Sequence, residues 1–169
     1  MGMNQPGQSN PQVQQAKQMW SNLTRGRQIA LAAAVVGLIA SFLPWYTVSG
    51  LGYSGSASGW SGWQGYLTIL GFIVAAVVVL LPLFGRSARG IIPSLPPTLT
   101  DARLVMGAGA VALVGAVLYL TTANSGAGSV ATAGSGISAG ASIGLYIALV
   151  CAVAIAAGGY LMQTEPDLV

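Results

Sequence analysis

All six basic and three acidic side chains of this 169-residue chain fall on one side of four apolar segments. Lys17, Arg25 and Arg27 precede the first segment, and Arg86, Arg89, Asp101 and Arg103 lie between the second and third. Glu165 and Asp167 follow the fourth, while the connections over 47–62 and 122–141 carry no charge. Lysine and arginine are retained on the cytoplasmic side of a membrane. The pattern therefore predicts an all-α membrane protein with four antiparallel transmembrane helices. Both termini and the middle connection are expected in the cytoplasm, and the two uncharged connections outside.

Only 5% of residues are charged and 54% are hydrophobic, against about a quarter charged in a soluble domain. Crossing a bilayer takes about 20 mostly apolar residues, and the spans are expected at about 28–46, 63–84, 102–121 and 142–162. Residues 1–26 read as a disordered, Gln-rich cytoplasmic tail with an interfacial lead-in, in which Arg25 and Arg27 face lipid phosphates. Residues 27–163 form the transmembrane domain, and 164–169 a short cytoplasmic tail. The expected location is the plasma (inner) membrane, crossed several times. The net charge of +3 is spread too thinly for a nucleic-acid surface.

Pro44 is expected in the last turn of the first span and Pro82 near the inner end of the second, where the interface satisfies the freed carbonyls. Thr98 lies three residues before Asp101, the spacing of a capping box. Arg27 and Arg103 open matching units, each a small-residue helix, a Gly/Ser-rich loop and a second span, which suggests parallel hairpin repeats. Cys151 is the one cysteine, so no intrachain disulfide can staple the loops.

Two constellations stand out. Small residues recur every four positions: Ala33, Gly37 and Ser41 in the first span, and Gly71 and Ala75 in the second. The third has Ala108, Ala112 and Ala116, and the fourth Gly144, Ala148, Ala152 and Ala156. Such positions share a helix face and let helix backbones approach closely in lipid, so they are expected to pack the bundle. The other constellation is aromatic. Phe42, Trp45, Tyr46, Tyr53, Trp60, Trp63, Tyr66, Tyr119 and Tyr146 are expected at the outer interface as an aromatic belt. Trp45, Tyr53, Trp60 and Trp63 are the candidate partner contacts, because three of them punctuate a charge-free Gly/Ser loop that glycine leaves free to fold onto the membrane.

The run Phe42-Leu43-Pro44-Trp45, followed by that loop and a second span, resembles uncharacterised small four-span membrane proteins of high-GC bacteria. The resemblance implies topology and no particular chemistry. Four spans with tryptophans in the first loop also resemble the claudin layout. Trp45 and Gly59-Trp60 match it loosely, and the two loop cysteines of claudins are missing here.

Catalytic groups are sparse. The chain has no histidine, which removes the commonest general base and the usual zinc ligands. Asp101, Glu165 and Asp167 show no metal or acid–base spacing, and Cys151 has no cationic neighbour in the sequence to activate it. No enzyme activity, cofactor or metal is expected. Carriers place ionisable groups within the membrane, and these spans hold none away from their ends. The expected function is an accessory or structural subunit that binds a membrane-protein partner, or a second copy, through the aromatic loop and the small-residue faces. The alternative is an oligomeric passive channel or small carrier, lined by Ser41 and Thr68.

Overall fold

The computed structural model describes residues 11–21, 23–50, 52–94, 96, 98–130 and 137–165. Within them lie α1 (Pro11–Ser21), α2 (Arg25–Ala40), β1 (Pro44–Gly50), β2 (Tyr53–Ser58), α3 (Trp63–Leu80), α4 (Ala88–Ile91), α5 (Asp101–Val130), β3 (Ile137–Ala141) and α6 (Ile143–Met162). Short 3₁₀ turns cover Gly59–Ser61 and Leu81–Phe84.

Pro44 ends α2 earlier than the expected span over 28–46. A proline ring clashes with the carbonyl four residues back and disfavours helix at the residue before it. The carbonyl four residues before Pro44 belongs to Ala40, the last residue of α2. It is satisfied instead by Leu43 N–H at 3.1 Å and by the Trp45 indole Nε1 at 2.8 Å. Pro44, Trp45 and Tyr46 belong to a strand, not to a helix end. Pro82 acts differently. It sits at the start of the Leu81–Phe84 turn, which extends α3 to Gly85, a residue with φ of +65°.

Helices α2, α3, α5 and α6 form a ring in which each packs on two neighbours and α6 closes on α2. Small residues face inward. Ala33, Gly37, Ser41, Gly71, Ala75, Ala108, Ala112, Ala116, Gly144, Ala148 and Ala152 are buried, and Ala156 is half-buried. A Cβ on Gly71 would lie 2.6 Å from the Ala108 carbonyl, and one on Gly37 would lie 2.7 Å from the Phe72 ring. The branched side chains point outward instead, among them Val35, Ile39, Ile73, Val114 and Val150. Large outside and small inside is the arrangement that suits helices surrounded by lipid.

Three helices are long and apolar enough to cross a membrane: Trp63–Phe84, Asp101–Ala123 and Ile143–Met162. The helix α2, with 16 residues, spans about 24 Å at 1.5 Å per residue, short of the roughly 30 Å hydrocarbon layer. The helix α5 runs beyond the expected 102–121 to Val130. No proline interrupts that stretch, and the Thr121 and Thr122 hydroxyls donate to the Leu118 carbonyl within the helix, so their polar groups compete little for other conformations.

The all-α expectation needs correction, because the two uncharged connections form one antiparallel sheet in the order β2-β1-β3. Tyr46-Thr47-Val48 gives the central strand its aromatic and β-branched character. Thr47 faces Ser56 on one side and Gly140 on the other. The β1–β2 hairpin closes through a tight turn in which Gly52 adopts φ of +81°, a conformation glycine reaches without steric penalty. The connections therefore are joined after all, by a hydrogen-bonded ladder in place of a disulfide.

The charged residues gather at the opposite end. Glu165, after α6, accepts the Gly26 N–H at the start of α2 with both oxygens, at 3.0 and 3.2 Å. The segment after α6 therefore meets the start of α2 at Glu165, within the stretch expected as a short tail. Asp101 accepts the Ala88 N–H at 3.3 Å, tying α4 to the start of α5. The cap of α5 is Thr100, whose hydroxyl accepts the Arg103 N–H at 3.4 Å, and not Thr98 as the spacing suggested. Residues 11–21 are helical where a disordered tail was expected, and 1–10 lie outside the described residues.

Candidate functional site

At the sheet end the chain must pass from α2 into β1 within three residues, and Ser41 organises that passage. Its hydroxyl donates to the Leu38 carbonyl at 2.6 Å and accepts the Trp60 indole N–H at 3.1 Å. Its carbonyl accepts the Gly59 N–H at 3.1 Å. One buried serine therefore fixes the turn after α2 against the turn after β2.

Trp45 lies beneath this junction with none of its surface exposed. Its ring meets Tyr119 edge-to-face, with centroids 5.1 Å apart at 82°, a favoured aromatic geometry. The Tyr119 hydroxyl reaches the Ser58 carbonyl at 3.4 Å. Backbone closes over the ring on two sides: a Cβ on Gly59 or on Gly144 would lie 2.8 Å from it. Gly59 in turn rests against Gly65 at the start of α3, where the backbones leave no room for a side chain. Trp45 is a packing residue that joins both connections to the helices. It leaves the set of candidate partner contacts, and Tyr119, which is buried, leaves the expected belt.

Above it stands an exposed aromatic ridge. Trp60 is the middle ring, 5.5 Å from Phe42 and 6.2 Å from Tyr66 between centroids. Phe42 is 72% exposed, Tyr66 54% and Trp60 40%. Trp63, 61% exposed, lies next to the ridge in sequence at the start of α3. The backbone of Tyr53 lies farther along the hairpin. It pairs with Gly50 at the hairpin tip, five residues along β2 from Ser58 and so roughly 17 Å away at 3.4 Å per residue. Sequence reasoning placed Phe42 and Tyr66 in a general belt and missed that they flank Trp60. Trp60 lies in the Gly59–Ser61 turn, outside the helix that carries Tyr66, so helical spacing gave no signal for this grouping.

The proposed pore-lining hydroxyls are also placed. Ser41 and Thr68 are fully buried within a single chain, and Thr68 donates to the Gln64 carbonyl at 3.1 Å. Neither hydroxyl lies on the surface of the chain. No protein-family model matches the chain, and no curated protein matches it. The functional reading accordingly stands on sequence and geometry.

Proposed function

We propose that the chain is a non-catalytic, multi-pass protein of the plasma (inner) membrane, an accessory or structural subunit that binds another membrane protein or a second copy of itself. In this reading α2, α3, α5 and α6 are four antiparallel spans arranged as two hairpins in parallel. The charged end faces the cytoplasm and the sheet faces outward. The short α2 completes its crossing with the turn at Ser41–Leu43, whose exposed Phe42 and Leu43 are compatible with lipid.

The observation that carries the proposal is the ridge Phe42–Trp60–Tyr66, apolar and exposed yet held in place by the Ser41–Trp60 hydrogen bond. Rigid aromatic area loses little conformational entropy on binding, and tryptophan and tyrosine are enriched where truncation weakens interfaces most. Native-membrane purification of the tagged chain should yield a stoichiometric partner or a homo-oligomer. Trp60→Ala with Trp63→Ala should weaken that association while leaving expression and insertion near normal. Gly37→Leu, driven into the Phe72 ring, should disturb the bundle itself. The double mutant holding its partner as well as wild type would move the contact to the helix faces. Solute or ion flux through liposomes reconstituted with the pure chain would favour the channel alternative.

A further inference from the structure

Two arginines two residues apart open α2, and the fold treats them oppositely. Arg25 is exposed, whereas Arg27 is only 5% exposed and its Nη1 is buried without a hydrogen-bond partner. At 100° per residue they lie about 200° apart around the helix, one turned away from the bundle and one into it. Thr24, immediately before α2, has a second orphan: its Oγ1 is buried and also unpartnered. Thr24 and Arg27 are three residues apart and therefore neighbours on one face. Helical side chains lean toward the N-terminus, the direction in which Thr24 lies from Arg27.

An uncompensated buried charge is costly, and a buried polar atom without a partner calls for one. Among the described residues no carboxylate forms an ion pair with Arg27. Glu165 comes to the same helix start but engages the Gly26 N–H. Arg103 at the same end directs its Nη1 to the Thr98 carbonyl at 2.6 Å. The positive end of the α2 dipole adds to the charge of Arg25 and Arg27, and a single carboxylate does not balance the three.

We propose that the start of α2 binds one phosphate group, held by the Arg27 guanidinium and the Thr24 hydroxyl at the positive end of the helix. A guanidinium fork, a hydroxyl and a helix terminus offer several donors to one tetrahedral oxyanion. The phosphate comes from an anionic glycerophospholipid or from free inorganic phosphate. The lipid source rests on the membrane reading above, since it requires this end of the bundle to sit at headgroup depth.

The test uses the full-length chain in detergent, titrated separately with phosphatidylglycerol and with inorganic phosphate, with bound lipid counted by native mass spectrometry and bound phosphate by ³¹P NMR. Wild type should bind one phosphate group saturably. Arg27→Gln should weaken binding at least about tenfold, and Thr24→Val should weaken it measurably, as expected for lost hydrogen bonds to a charged group. Arg25→Gln should change it by less than about twofold, as expected for an exposed charge. Saturation by phosphatidylglycerol alone assigns the lipid source, and saturation by inorganic phosphate assigns the soluble one. Wild type binding neither saturably, or a folded Arg27→Gln binding as wild type does, overturns the site. Should Arg27→Gln fail to fold, wild-type saturation and Thr24→Val still decide. Alkaline extraction of native membranes tests the membrane reading separately, so its failure is distinguishable from failure of the phosphate site.

Discussion

At the scale of single residues, glycines that look alike in sequence occupy opposite situations. Gly59 has the Trp45 ring where a Cβ would be, 2.8 Å away, and that ring is itself fully enclosed. Gly59→Ala should therefore destabilise by about 1–3 kcal/mol, the usual cost of overpacking a site that cannot yield. Gly107 lies inside α5 with nothing within 4 Å of an added Cβ. Gly107→Ala should be neutral or stabilise by up to about 1 kcal/mol through helix propensity. Titration with SDS in mixed micelles, followed by circular dichroism, measures both. A Gly59→Ala protein as stable as wild type would mean that the junction over Trp45 is looser than described. Trp45→Phe keeps most of the aromatic bulk but removes the indole N–H from the Ala40 carbonyl, and should cost about 1 kcal/mol.

At the scale of elements, the sheet is the feature that local sequence conceals. Ser49 in β1 and Ser138 in β3 face each other, with hydroxyl oxygens 3.5 Å apart. Directly opposed antiparallel residues lie within disulfide range. Ser49→Cys with Ser138→Cys should thus form an intrachain disulfide under mild oxidation, detected by mass spectrometry. Ser49→Cys with Gly140→Cys, two positions out of register, should form little. The native Cys151 is buried and should not compete. Equal crosslinking of both pairs would contradict the register. Helix α3 and its 3₁₀ extension to Phe84 were legible because an apolar run is a local signal, and α6 was legible for the same reason. The strand β2, Tyr-Ser-Gly-Ser-Ala-Ser, has almost no strand propensity of its own, and β3 reaches its partner across 89 residues between Ser49 and Ser138. Such pairing is set by tertiary context. The stop at Ala40 was readable from Pro44, but the apolar run through Leu43 masked it. The division between Arg25 and Arg27 was readable from helical periodicity alone.

At the scale of the molecule, the chain separates its chemistry along one axis. Acidic groups accept N–H groups at helix starts at one pole, a charge-free sheet covers the other, and between them branched side chains face outward around an alanine- and glycine-lined interior. If α2, α3, α5 and α6 all cross the membrane, β2 and β3 must be on the same side, and the connection between α3 and α5 on the other. Three single-cysteine variants, made in a Cys151→Ala background, test this: Ser56→Cys in β2, Ser138→Cys in β3 and Ser87→Cys before α4. In intact cells an impermeant maleimide should label positions 56 and 138 and leave position 87 unlabelled until the membrane is opened. Labelling of 87 in intact cells, or labelling of 56 without 138, would contradict the four-span arrangement with its sheet outside.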